Sequence, residues 1–212
     1  MPGLDRLEDA GRNLLLFFAR GLTAHLHAVS RPREFFKRLG DLGSRYGVFF
    51  TLPFSIGVWT GLAFTTAMII AFAEAARSIL AGSLIGLIEA PFKALAYSLA
   101  LPAVYAIIDS ALIILLLKAL KAPTRRPLHI VFAARASSGI PYTFKAGLHA
   151  LTGDLSITSL IAYCGVSHIL LGLVGVALTA YGLENSLGAS RGHALAASLA
   201  VYSYKVALCT LA

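Results

Sequence analysis

Two ionisable residues stand deep inside apolar runs: Asp109 in the stretch Ala94 to Leu117, and Arg135 in the stretch that opens at Pro127. Between them lies a basic turn, Lys118 to Arg126, and its Ala122 is thirteen residues from each charge. At a rise of about 1.5 Å per residue, a helical hairpin centred on Ala122 brings carboxylate and guanidinium to similar depth. A charge at membrane depth costs at least ~2.5 to 3.5 kcal/mol, so it faces a partner or water rather than lipid. The spacing therefore predicts that Asp109 and Arg135 pair between two antiparallel helices.

The apolar runs decide the class. With 58% hydrophobic and 13% charged residues, the chain reads as an all-α, polytopic transmembrane helical bundle. A formal charge of +8 would suggest nucleic acid in a soluble protein. Here the Lys and Arg residues gather in the N-terminal segment and one loop, which is how the positive-inside rule and attraction to anionic headgroups look in sequence. Nucleic acid is therefore not expected as a partner. Cys164 and Cys209 each sit in an apolar run and do not form a disulfide framework or metal knuckle. The apolar run Leu14 to Ala19 is too short for a secretory leader and lacks a cleavage site, so its removal is not expected.

Residues 1–47 read as a cytoplasmic, amphipathic interfacial region and residues 48–212 as a five-span transmembrane domain. Pro32 fits the first turn of a helix, and Glu34 suits its dipole. In that helix Phe35, Phe36 and Leu39 are placed to dip into the interface while Arg31, Arg33, Lys37 and Arg38 meet lipid phosphates. The segment either packs under the bundle and sets orientation, or docks a cytosolic protein.

The expected spans are Val48 to Ala73, Ala94 to Leu117 with a kink at Pro102, Pro127 to Ala150 with a break at Gly139-Ile-Pro141, Ile157 to Tyr181, and Ala194 onward. Ser78 to Ala90 is short for a crossing and suits an outer-side interfacial or re-entrant helix. Gly57 and Gly61, and again Gly82 and Gly86, present small faces that serve either packing within the bundle or a homo-oligomer. Proline at 141 removes one helical hydrogen bond, so carbonyls near Ser137 and Ser138 need a partner, most simply a neighbouring side chain. Lys205 is expected to snorkel outward. Five crossings put the N-terminus in the cytoplasm and the C-terminus outside.

Three stretches together resemble the Yip family (Ypt/Rab-interacting proteins), five-span membrane proteins with many prokaryotic relatives. They are RPREFFKRL at Arg31 to Leu39, HIVFAARASSGIPYTF at His129 to Phe144, and AYGLENSLGASRGHAL at Ala180 to Leu195. The resemblance implies a non-enzymatic protein of membrane organisation or trafficking with an exposed cytosolic N-terminal region. The acidic, tyrosine-rich segment found ahead of the first span in eukaryotic members is absent here, which weakens the case for binding of a Rab-like GTPase.

Catalytic patterns are missing: there is no Gly-rich phosphate loop, no His-Glu-x-x-His helix and no Gly-x-Ser-x-Gly elbow. The six histidines fall at different depths, so neither a metal site nor any cofactor is expected. His168, in mid-span, is either a neutral imidazole bonded to a neighbour or part of a proton relay. The same choice applies to Asp109 and Arg135. They either lock two helices in register, as in a scaffold or adaptor, or line the polar path of a small ion channel or transporter together with Tyr105, Ser110, Ser138 and Tyr142.

Overall fold

The structure, a computed structural model, describes residue 16 and residues 19–152 and 166–208, with side chains left aside at 99–105 and 166–168. Every regular element among the described residues is helical. They are α1 (19–30), α2 (Pro32–Tyr46), α3 (Val48–Leu80), α4 (Leu84–Leu95), a π-helical turn (Ala96–Ala100), α5 (Leu101–Ala119), α6 (Ile130–Ser137), α7 (Ile140–Thr152), α8 (Val166–Leu187) and α9 (Arg191–Ala207). Val48–Leu80 and Ile169–Leu187 are long and apolar enough to cross a membrane.

The breaks between helices have local causes. Two helices end in the same double-bonded cap, in which a left-handed residue returns N–H groups to the last turn. At the end of α3 that residue is Gly82 (φ 64°), with Ser83 N–H bonded to Ser78 O at 2.8 Å and Gly82 N–H to Ile79 O at 3.0 Å. At the end of α5 it is Lys121 (φ 49°), with Ala122 N–H bonded to Leu117 O at 2.9 Å.

The stretch Ser78 to Ala90, expected to form a separate outer helix, is divided among the end of α3, this turn and the start of α4. Ser83 caps α4 by accepting from Gly86 N–H at 3.1 Å, and α4 then runs through the π turn into α5. That π turn stands just before Pro102, and a proline inside a regular α-helix clashes with the carbonyl four residues back. Widening the turn by one residue relieves the clash.

The core is assembled in three clusters. Ile113, Leu117, Ile130, Leu183, Leu187 and Val201 join α5, α6, α8 and α9 beside the basic turn. Ile70, Ala94, Ala146 and Ala150 join α3, α4 and α7 at the other end. Ala28, Phe36 and Leu39 bind α1 and α2 to Ala133 and Ala134 of α6.

The N-terminal helices thus belong to the bundle. Phe36 and Leu39 are buried in the cluster with Ala133 and Ala134 of α6, and Gly182 of α8 leaves a hollow in which the Phe36 ring sits. α1 lies across α3 at Gly61, where a Cβ would meet Gly21 Cα at 2.8 Å and Leu22 N at 2.9 Å. That small-residue face of α3 is therefore occupied from within the chain.

Candidate functional site: a buried carboxylate between three helices

Asp109 lies in α5 with no exposed surface, and α6 and α9 close over it. Arg135 of α6 donates to its Oδ2 from Nε at 3.0 Å and from Nη2 at 2.5 Å. Lys205 of α9 donates from Nζ to the same oxygen at 2.6 Å, and Tyr204 Oη donates to Oδ1 at 2.9 Å. One buried carboxylate accepting several charge-assisted hydrogen bonds is a strong and geometrically selective tie.

Lys205 is the member of this cluster that sequence reasoning placed elsewhere. It is only 5% exposed and turns inward, because a carboxylate lies within reach while outward extension would forfeit that bond. The available signal was its depth: counted from the turn at Ser190, Lys205 stands fifteen residues into its helix, close to the thirteen that separate Asp109 from Ala122.

The other expected members face different neighbours. Tyr142 Oη donates to the Tyr97 carbonyl in the π turn at 2.8 Å. In a π turn a carbonyl pairs with the N–H five residues on, and five residues after Tyr97 stands Pro102, which has none. Ser138 Oγ bonds Arg135 O at 3.0 Å and Thr179 Oγ1 at 3.2 Å. Ser110, next to Asp109 in sequence, lines a separate apolar cavity against α3. The side chains of Tyr105 and His168, and both cysteines, lie outside the described residues.

His25 is a second residue whose role the sequence did not disclose. Its imidazole is fully buried, with Nδ1 3.1 Å from Ser137 O and Nε2 3.0 Å from Val58 O. Ser137 O is the carbonyl that Pro141 deprives of its helical donor, so the break between α6 and α7 is bridged by α1. Another polar group, Glu74 of α3, is only 2% exposed and is held by Arg77 at 2.6 Å and Lys93 at 3.8 Å.

No family model matches this chain, no curated protein matches its sequence, and no solved structure matches it. The arrangement must speak through its chemistry.

At the basic end the turn after α5 caps α8. Arg125 and Arg126 N–H both bond Leu187 O, at 2.9 and 3.1 Å, and Arg126 Nη1 bonds the carbonyls of Asn185 and Ser186 at 3.0 Å each. A cation at the carbonyl end of a helix meets both its unpaired acceptors and its dipole. Arg126 Nη2 also reaches Asp41 of α2 at 2.5 Å. Arg31, Arg33, Lys37 and Arg38 are all exposed on α2 or just before it, on the side away from Phe36 and Leu39.

Beside the Asp109 cluster, a hollow lined by Arg135, Thr179, Ser198, Tyr202 and Lys205 encloses about 30 Å³. That is room for a water or two. The cluster as described holds helices together and offers little space for a solute.

Proposed function

We propose that this chain is a non-enzymatic, multi-pass membrane scaffold or adaptor, with its basic end in the cytoplasm and its basic α2 surface turned to anionic lipid or a cytosolic partner. The reading rests on the way Asp109 is used: three donors from two other helices take up the carboxylate, and the hollow beside it is too small for a hydrated ion.

The membrane part is supported by two apolar helices of spanning length and by the large apolar side chains left exposed along α3 and α4, among them Met68, Phe72, Leu80, Leu84 and Ile88. Five crossings follow if α3, α4 with α5, α6 with α7, α8 and α9 each traverse once. The Lys and Arg residues at one end of these rods support a cytoplasmic address for it. The resemblance to Yip-type proteins in three stretches agrees with membrane organisation rather than catalysis.

The alternative, a small channel or transporter, differs in one measurable property. Purified protein in liposomes is scanned for flux of cations, anions and protons, and the scaffold reading expects none above empty vesicles. Ion-selective flux lost on Asp109→Asn, in a protein that still folds, would replace it with the channel reading. With Cys164 and Cys209 replaced by Ser, labelling of a cysteine introduced at Thr124 only after the cells are permeabilised supports the orientation; labelling in intact cells refutes it.

A further inference from the structure

Where α3 turns back into α4, at the end of the bundle remote from the basic turn, a cavity of about 370 Å³ opens among Glu74, Arg77, Ser78, Ile85, Glu89 and Lys93. Its volume is within the range of small-molecule sites.

The four charges on its walls play unequal parts. Glu74 is buried, and Arg77 Nη2 donates to its Oε1 at 2.6 Å. That bond uses one corner of the guanidinium, and no acceptor among the described residues meets Arg77 Nε or Nη1. The Arg77 side chain is 41% exposed, so these donors are open to a ligand. Lys93 Nζ stands between two carboxylates, 3.0 Å from Glu89 Oε2 and 3.8 Å from Glu74 Oε2. Lys93 and Glu89 are both about half exposed, and ion pairs of that kind are weak and exchange partners readily.

Two carboxylates and two cations sum to zero, so the walls favour neither a lone anion nor a lone cation. A ligand that carries both signs suits them. Its anionic group takes the open donors of Arg77 together with Lys93, and its ammonium replaces Lys93 on Glu89. Every charge is then paired again.

Depth and surroundings decide between a dissolved zwitterion and a lipid. Glu74 and Arg77 stand twenty-six and twenty-nine residues after Val48, about 39 to 44 Å of helix. A bilayer is about 30 Å of hydrocarbon, or about 40 to 45 Å with its headgroup layers. On the membrane reading, α3 therefore carries these charges to the headgroup layer opposite the basic end. Met68 and Phe72 of α3 and Leu95 of α4 are nearer the midplane and exposed, which leaves an apolar surface for acyl chains. Among common phospholipids, the phosphoethanolamine headgroup has one anionic phosphate and one ammonium with N–H donors. Choline has no N–H, glycerol has no cation, and serine adds a second anion.

We infer that the cavity between α3 and α4 holds the headgroup of a phosphatidylethanolamine, with its phosphate on Arg77 and Lys93 and its ammonium on Glu89. The inference rests on the membrane reading above for the source of the lipid.

Purified protein in maltoside micelles is given equal amounts of phosphatidylethanolamine, phosphatidylcholine and phosphatidylglycerol with the same acyl chains, and bound lipid is measured by native mass spectrometry. One ethanolamine lipid per chain, in about fivefold excess over either competitor, is the expected result. Glu89→Gln should bring the ethanolamine and choline lipids to parity. Arg77→Lys, which still neutralises Glu74 but presents no fork of donors, should lower binding of the ethanolamine lipid roughly fivefold. Circular dichroism and elution volume verify folding. Glu89 is 52% exposed, so its variant keeps the test decisive should the change beside buried Glu74 unfold the chain.

Equal binding of the three lipids, a preference that survives Glu89→Gln, or binding that Arg77→Lys leaves unchanged overturns the site. Displacement of the lipid by an equal concentration of glycerophosphoethanolamine, the headgroup without its chains, overturns the lipid assignment in favour of a dissolved ligand. Release of the unmodified protein from membranes by alkaline carbonate would defeat the membrane reading itself, and that measurement does not involve this cavity.

Discussion

Lys205 Nζ lies 2.6 Å from Asp109 Oδ2, although ninety-six residues separate the two in sequence. The contact draws α9 onto α5, and Arg135, bonded to the same oxygen, draws in α6. Three helices therefore share one anion, and its removal takes a common acceptor from both cations.

Replacing Asp109 by Ala should destabilise the protein by about 3 to 5 kcal/mol, the usual consequence of stranding buried charge. Lys205→Met should cost less, because Arg135 still neutralises the carboxylate and the new side chain fills the space. Thermal unfolding in detergent ranks the two, and equal losses would refute the shared-anion account.

His25 and Pro141 should be coupled. Proline leaves Ser137 O without a helical donor and His25 Nδ1 lies 3.1 Å from it, so His25→Phe should cost about 1 to 3 kcal/mol. In a Pro141→Ala background an N–H returns to that carbonyl, and the same change at His25 should cost measurably less. A double-mutant cycle with no coupling would show that the contact carries no weight.

Gly61→Ala should push α1 off α3. The added Cβ meets backbone atoms of Gly21 at 2.8 Å, and backbone cannot rotate aside as a side chain can. A loss of about 1 to 3 kcal/mol, with earlier protease cleavage after Arg20, is the expected outcome. Dissociation of an oligomer with α1 still protected would instead assign the glycine face to contacts between copies.

Arg126→Ala should be more damaging than Asp41→Ala. Arg126 bonds two terminal carbonyls of α8 besides Asp41, whose side chain is 57% exposed and whose ion pair with it is therefore weak. Arg126→Lys should recover only part of the loss, since an ammonium cannot present the same fork of donors. Urea or thermal denaturation distinguishes the three variants.

Much of the architecture follows from local rules that one chain segment obeys alone. The apolar runs specify helices, Pro102 and Pro141 specify where two of them are disturbed, and the equal thirteen-residue arms about Ala122 put Asp109 and Arg135 at one depth. The proline chemistry even specifies which carbonyl needs help after α6. These inferences use distances along the chain, and helix geometry converts those into distances in space.

What the tertiary structure decided is which distant residue answers each local need. His25 reaches Ser137 O across 112 residues, Tyr142 donates to Tyr97 O across 45, and Lys205 joins Asp109 across 96. Phe36 and Leu39 have an apolar face that either lipid or protein could cover, and the packing of α2 on α6, with the hollow at Gly182 for Phe36, selects protein. An unpaired acceptor or an apolar stripe states a demand that many groups could meet. The choice among them depends on how whole helices pack, which no single segment encodes.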